Sequence, residues 1–391
     1  MNILVNAVAA KSGGAATYAI NLAKQVARAG GLHRYIFYLP CGLAQAIGDI
    51  SHSLTIVETP ASEGPAWKRF LWDQVTLRKI VKREHIDVLI SSSDFGMFLP
   101  PCLQVLLIRN SLFFSQLYLR TLAVRQSWLS QANLLLRRRH VLLSAWNSEI
   151  VMTASNALLE EVQRCAKGRL GTIVVNPFGV PLDRFQAPPS HAPLDNRSGC
   201  QSSFRLLHVS EYCDYKNVTV LLKAIRILSS QGATDLLFLS TANPWQYPEV
   251  HVVTREEDQA LAVHHQVASF VKFTGPIPYD DVPRLYRDSD LFVFPSLAES
   301  FGHPLVEAMA SGLPILASDI PICREICEDA AVYFDPLDAT DLAEKILRLR
   351  DNSILRGQLS ANGRRRAKTQ FDWNNHVHRL IELIEQVAVD T

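Results

Sequence analysis

Several familiar signatures are missing from this chain of 391 residues, and each gap removes a class of function. Its seven cysteines, Cys41, Cys102, Cys165, Cys200, Cys213, Cys323 and Cys327, include no CxxC pair. No Cys/His group has metal-ligand spacing, and an odd count argues against a disulfide framework. Cys323 and Cys327, four apart, fall on one loop or helix start. Neither charge dominates: 39 Lys and Arg face 38 Asp and Glu, for a net +1, so the total lends no support to a nucleic acid partner. No run approaches the roughly 20 apolar residues that a spanning helix needs. The opening Met1-Asn2-Ile3-Leu4-Val5-Asn6 lacks a basic start followed by a long apolar stretch, which predicts a buried strand and not a signal peptide. These gaps together point to a reducing, cytoplasmic setting. Residues 131–143 mix apolar side chains with Arg137, Arg138 and Arg139 and could touch the anionic inner face of a membrane. A solvated helix end leading into a strand is the plainer expectation.

What is present is a globular composition, with 48% hydrophobic and 20% charged residues. A length of 391 predicts two domains. Short apolar runs at 2–8, 35–39, 54–57, 87–91, 104–108, 150–153 and 172–175 read as buried parallel strands. Helical stretches at 15–29, 69–84 and 155–166 lie between them, and Gly30-Gly31 stops the first. The alternation breaks at 187–203, where three prolines and small polar residues mark a linker or exposed loop. It restarts with strands at 205–210, 235–240, 269–274, 291–295 and 314–318 and helices at 218–228 and 304–310. The tail is helical at 341–349, 355–369 and 374–388. That is a doubly wound α/β pattern, twice over. The expected division is 1–186, a linker at 187–203, 204–370, and a final helix at 371–391. Ligands of such sheets bind beyond the carboxyl ends of the strands.

The segment from Asp290 to Asp319 carries the most chemistry. A buried strand leads through Pro295-Ser296 into a loop with Glu299, Ser300, Phe301 and Gly302, and then into a helix opened by His303, Pro304 and Leu305. Pro304 suits the first helical position, and amides near 301–305 would form an anion site at a positive helix end. Glu299 and Glu307 bracket it. Each carboxylate can take two sugar hydroxyls, although acidic residues near a helix start also meet its dipole with no ligand at all. Earlier, Leu207-His208-Val209-Ser210 ends a strand, and Lys216 follows in a loop where it can meet a diphosphate as a point charge. Gly13 and Gly14 at the first strand-to-helix turn permit close approach of an oxygen-rich ligand, or form a tight turn and nothing more. Arg109 and Asn110 end another strand at the edge where function sits. His208, His264 and His265 lack a compact ligand set and read as structural.

The 290–319 segment resembles the glutamate, seven residues, glutamate motif of the retaining glycosyltransferases of family four. Glu299 and Glu307 supply the glutamates, with Pro295-Ser296, Ser300-Phe301-Gly302, Glu307-Ala308-Met309-Ala310, Gly312, Pro314, Ser318-Asp319, Glu325 and Phe334-Asp335-Pro336 as matching neighbours. The resemblance implies the GT-B fold: two Rossmann-like domains facing across a cleft, with the C-terminal helix returning to the first domain. It implies transfer of a hexose, such as mannose or glucose, from a nucleotide diphosphate sugar to a hydroxyl of a glycan or lipid-linked acceptor. Retention at the anomeric carbon and no obligatory cofactor or metal go with it. Glu299 inherits contact with the transferred sugar and Glu307 with the ribose. Lys216 and the loop amides inherit the diphosphate, Gly13 and Gly14 the reaction centre, and Thr274-Gly275-Pro276 the nucleobase turn. Asn176-Pro177-Phe178-Gly179-Val180 matches the stretch before the second domain. One departure stands out. Relatives place an arginine five residues before the lysine, and this chain has Glu211 there, which makes Arg109 of the first domain a candidate for the second positive charge. A sugar-phosphate synthase or phosphorylase on the same fold is one alternative. A catalytically weak nucleotide-sugar-binding or scaffolding subunit is another, favoured by Glu211 and opposed by Glu299, Glu307 and Lys216.

Overall fold

The computed structural model describes residues 1–11, 13–29, 33–48, 53–168, 170–186, 203–247 and 251–389. The chain divides into two compact units. Unit 1 contains Met1–Phe114, Trp128–Gly179 and Trp373–Thr391, and unit 2 contains Ser115–Ser127 and Val180–Asp372. The expected linker at 187–203 falls, but for Ser203, outside the described residues, as do Gly30-Gly31 and Cys200.

Among the described residues unit 1 is built on seven parallel strands: β1 (Asn2–Asn6), β2 (Arg34–Pro40), β3 (Leu54–Thr59), β4 (Val88–Ser91), β5 (Leu103–Ile108), β6 (Ile150–Thr153) and β7 (Thr172–Val175). Their order is β3-β2-β1-β4-β5-β6-β7. The central strands are continuous apolar runs because helices cover both faces. Ile3, Leu4 and Val5 in β1 and Val105 to Ile108 in β5 are almost wholly excluded from water. The strand order reverses between β1 and β4, so loops after these strands flank the expected ligand position of this unit.

Unit 2 repeats the plan with β8 (Phe204–His208), β9 (Leu236–Ser240), β10 (Val271–Phe273), β11 (Leu291–Phe294), β12 (Ile315–Ser318) and β13 (Ala331–Phe334), in the order β10-β9-β8-β11-β12-β13. Here the reversal lies between β8 and β11, which pair in parallel through Leu206 and Leu207. Both units are Rossmann-like.

The last described helix, Trp373–Val389, belongs to unit 1. Val377, Leu380 and Ile384 lie on one buried face, at the helical spacing of three and four. Leu380, Ile381 and Ile384 meet Leu22 and Val26 of the Gly13–Ala29 helix above β1 and β2. The return is fixed at its start by a close approach. A Cβ on Gly179 would stand 2.5 Å from Cα of Trp373, so only glycine lets the two backbones pass.

Three local expectations are corrected. Residues 131–143 are not wholly a solvated helix end: they lie inside one helix, Trp128–Trp146, whose Val141 and Leu142 are core side chains and which leads through a short turn into β6. The 69–84 stretch is two helices, Ala66–Leu71 and Leu77–Arg83, joined by a π turn at Trp72–Thr76 that brings the buried Asp73 to the amide of Asn6 at 2.9 Å. Pro304 occupies the second helical position and not the first, since the helix begins at His303. Its absent N–H still falls among those that no helical carbonyl could reach.

Candidate functional site

The two loops at the reversal of the unit 2 sheet carry the site. After β11, Pro295 ends the ladder because it has no N–H to give. The next residues are tied down by the loop after β8: Leu297 N–H donates to the Tyr215 carbonyl at 2.8 Å, and the Asn217 amide donates to the carbonyls of Pro295 at 3.2 Å and Pro336 at 2.8 Å. That anchoring brings together two residues 83 positions apart. The Lys216 ammonium donates directly to Oε1 of Glu299, and Ser296 Oγ donates to the same oxygen at 2.9 Å. Both charged side chains are only 11% exposed. Burial pulls the Lys216 ammonium down, and the Glu299 carboxylate, with Cys213 and Glu211 nearby, more than offsets this, so its pKa stands above the ordinary value and the lysine stays charged. Its Nζ also lies 5.0 Å from the Tyr215 ring centre and 5.6 Å from that of Phe294.

The Lys216 loop has a foundation that no sequence pattern announced. Asp258 is fully buried and accepts three hydroxyls: Tyr212 at 2.7 Å, Thr219 at 2.5 Å and Thr254 at 2.9 Å. Asp214 accepts the Val253 N–H at 2.6 Å. These bonds clamp residues 212–219 against the Arg255–Ala262 helix. Glu211 is exposed at the mouth of the loop. Ser210 is held by His208 Nε2 at 3.1 Å and by Thr241, which receives its N–H at 2.8 Å. His208 itself is buried and bonded to Ser240 at 3.1 Å, with burial pushing its pKa down to about 3, so it is a neutral structural residue.

The helix His303–Ser311 opens from Gly302, whose φ of +79° turns the chain sharply off the loop. Phe301 is core and packs on His303 and Phe371. Of the amides expected to face an anion, Pro304 has none and that of Leu305 is taken by the Gly302 carbonyl at 2.9 Å. Glu307 stands beyond the first turn, where a helix dipole has little hold on it. Instead its carboxylate is fully buried between two phenols: Tyr286 donates to Oε2 at 2.9 Å and Tyr279 to Oε1 at 3.2 Å. Burial raises its pKa from 4.5 to about 7, against the pull of the two hydroxyls. Neither tyrosine was signalled by spacing. Gly275, with φ +71°, follows Thr274, whose N–H donates to Ser240 at 2.9 Å, and a Cβ on Gly275 would strike the Gln246 amide.

Unit 1 holds the remaining candidates. The Arg109 guanidinium donates to the Gly14 carbonyl at 2.8 Å and lies 4.7 Å from the Tyr18 ring centre and 4.9 Å from that of Phe178. Its backbone is set by Asp94, whose Oδ1 accepts the N–H of Arg109 at 2.6 Å and of Asn110 at 2.9 Å. Gly13 begins the first helix with φ +59°. Tyr18 is oriented by His376 of the last helix, 3.1 Å from its hydroxyl, while the other ring nitrogen of His376 is 2.9 Å from the Pro177 carbonyl. The 176–180 stretch is thus engaged with the returning helix, and Asn176 donates to the His376 carbonyl at 3.1 Å. Among the described residues no group of three His, Cys, Asp or Glu could hold a metal ion, and no helix is long and apolar enough to cross a membrane.

Residues 200–366 match the family described as Glycosyl transferases group 1. Over 235 residues the chain is 26% identical to O-antigen chain mannosyltransferase B of Escherichia coli, covering 59% of this chain and 58% of that protein. The chain thus spans less than two thirds of that relative's length. Among solved structures, sucrose-phosphate synthase from Thermosynechococcus elongatus superposes with a TM-score of 0.77 at 18% identity over 100% of both chains. HepE of Anabaena in complex with UDP and glucose superposes with a TM-score of 0.73 at 19% identity, over 99% of this chain and 100% of that one. The chain therefore has the two-domain GT-B fold of glycosyltransferases, and its residues 200–366 are related to the glycosyl transferases of group 1.

Proposed function

We propose that this chain is a retaining hexosyltransferase of family four, which moves a hexose such as mannose or glucose from a nucleotide diphosphate sugar to a hydroxyl of a glycan or lipid-linked acceptor, on the cytoplasmic side. The observation that carries this is the pairing of Lys216 with Glu299 at the reversal point of the unit 2 sheet, next to the helix that carries the buried Glu307. That edge is where α/β sheets take nucleotides. In this reading Glu307 accepts the ribose hydroxyls and Glu299 those of the hexose. Lys216 turns from Glu299 alone to the diphosphate, whose negative charge grows as the anomeric carbon–oxygen bond breaks. The acceptor oxygen forms its bond to the anomeric carbon on the face being vacated, and its proton passes to an oxygen of the departing diphosphate.

A second reading, a nucleotide-sugar-binding subunit with weak catalysis, is favoured by Glu211 alone. A panel of UDP-, GDP- and ADP-sugars separates the readings, with thermal stabilisation and nucleotide release both recorded. Stabilisation and release with one donor, both lost in Glu307→Ala, are the expected result. Stabilisation without release in the presence of acceptor glycans supports the subunit. No stabilisation by any donor at millimolar concentration refutes the donor site.

A further inference from the structure

A carboxylate that is to take ribose hydroxyls must be reachable, and Glu307 is not: it is 5% exposed, with one phenol on each oxygen. The two phenols are not equivalent. Tyr286 belongs to the Val282–Arg287 helix and is 1% exposed. Its ring centre lies 5.4 Å from that of Phe292 in β11 and 5.8 Å from that of Phe185, and its hydroxyl is also 3.3 Å from the Pro304 carbonyl. It is part of a close-packed core and cannot move without opening a void. Tyr279 is half-buried and stands in the loop after β10, four residues beyond Gly275. Its bond to Oε1 is the longer of the two, 3.2 Å. One side of its ring meets Phe185, with centres 6.3 Å apart. The Arg184 guanidinium lies 5.1 Å from the ring centre and is held by Asp280 at 2.5 Å. The Arg184 and Asp280 side chains face water, 44% and 79% exposed. Of the two residues that hold the Glu307 carboxylate, only Tyr279 reaches the surface.

We propose that Tyr279 is a positioning residue for Glu307: in the empty site its hydroxyl aims and satisfies Oε1, and an incoming ribose hydroxyl takes that place as the phenol turns out to water. This rests on the transferase reading, in which Glu307 receives the ribose. The exchange keeps every group bonded. A buried carboxylate left with a single donor is costly, so the empty site needs a second hydroxyl. A phenol that moves to the surface gives up one hydrogen bond and gains another from water. The outward-facing phenol is the one that can yield, so the nucleoside approaches Glu307 from the side of the 274–281 loop. The charges packed around this carboxyl are paired among themselves. Arg184 and Asp280 pair behind Tyr279, and Arg284 and Asp288 pair at 3.8 Å on and just past the Tyr286 helix. His303, one turn before Glu307 on its own helix, packs on Phe301. Burial and the two phenols therefore set the proton affinity of Glu307. Each hydroxyl favours the charged form, so loss of one moves ionisation to higher pH.

The test titrates UDP, GDP and ADP calorimetrically into the full chain and into Tyr279→Phe, at high and at low pH, and repeats the tightest of the three as its dideoxy form, which has no ribose hydroxyl. Phenylalanine keeps the ring between Phe185 and Arg184 and removes only the hydroxyl that the ribose displaces. Well above the ionisation range of Glu307 the variant is expected to bind the ribonucleotide about fivefold more tightly than the wild type, the worth of one hydrogen bond that no longer has to be broken. The dideoxy form should gain nothing. Below that range the gain should shrink or reverse, because the variant's Glu307 keeps its proton to higher pH. A mere loss of packing would weaken both ligands at both pH values. Tyr286→Phe, which removes the core phenol, should weaken binding and lower the melting temperature. Unchanged or weaker ribonucleotide binding by Tyr279→Phe at high pH overturns the proposal, as does a gain shared by the dideoxy form or an equal gain in Tyr286→Phe. Glu307→Ala separates the two failures. If it leaves nucleotide affinity unchanged, or if none of the three nucleotides binds the wild type, the donor site of the transferase reading falls and the proposal with it. If it abolishes binding while Tyr279→Phe gains none, only the role of Tyr279 falls.

Discussion

Glu307 should cost the fold stability at the pH where it is useful, and Glu307→Gln measures that cost. The carboxyl is fully buried and its pKa is raised from 4.5 to about 7. In the unfolded chain it loses its proton near 4.5, whereas in the folded chain it keeps it until about 7. Stability from this group is therefore complete below 4.5, falls as pH rises between the two values, and levels off above 7. At about 1.4 kcal/mol per unit the loss is about 3 kcal/mol. Glutamine is isosteric and cannot ionise. Its carbonyl can accept from one of Tyr286 and Tyr279, while its amide donates to the oxygen of the other. The variant should match the wild type at pH 4.5 and exceed it by about 3 kcal/mol at pH 8. For a domain of this size that is roughly 6–12 °C in the melting temperature of unit 2. It should also bind nucleotide sugars on the order of tenfold more weakly or worse, since the charge-assisted pair is gone. Melting curves of both proteins across this pH range are the assay. A gap between variant and wild type that does not change with pH would refute the reasoning, as would a variant less stable throughout.

Other outcomes follow from the same geometry. In the wild type, nucleotide affinity should rise about tenfold per pH unit below 7 and level off above it, because only the ionised Glu307 takes two hydroxyls well; calorimetric titration from pH 5.5 to 8.5 checks this. Lys216→Ala should lower turnover about a hundredfold or more, since the charge developing on the diphosphate loses its nearest cation, while the affinity for the nucleoside itself is kept. Gly179→Ala should destabilise unit 1 by about 1–3 kcal/mol, read by urea denaturation, because its methyl meets the Trp373 backbone at 2.5 Å.

The sheets were largely legible because each central strand is a short apolar run between helices. The runs at 150–153 and 172–175 coincide with β6 and β7. β13 was not expected: Ala331–Phe334 is only four residues long, and its two middle side chains are half-buried. Glu299 and Lys216 were each visible as chemistry-bearing loop residues, but their ion pair was not, because the strand order that joins their loops is a property of the whole sheet. Tyr286, Tyr279 and Asp258 were invisible for a related reason. Each acts on a partner 21, 28 or 46 positions away, from a different element, and an isolated tyrosine or aspartate carries no mark of its future neighbour. The full extent of the Trp128–Trp146 helix was not legible, because its last turns are buried and its first are not, which blurs the stripe that reveals a surface helix.

The Gly179–Trp373 crossing bears on the order in which the protein can be made. Tyr18, delivered early in synthesis, finds its hydroxyl partner His376 only after the ribosome has produced all of Val180–Asp372. Until then the Gly13–Ala29 helix shows water the apolar side that Leu380 and Ile384 will cover. Unit 1 therefore stays incomplete through the whole synthesis of Val180–Asp372, whereas every residue of unit 2 has been made once Asp372 is added. Vectorial synthesis is reversed in its effect: the domain that is translated first is the one that is finished last.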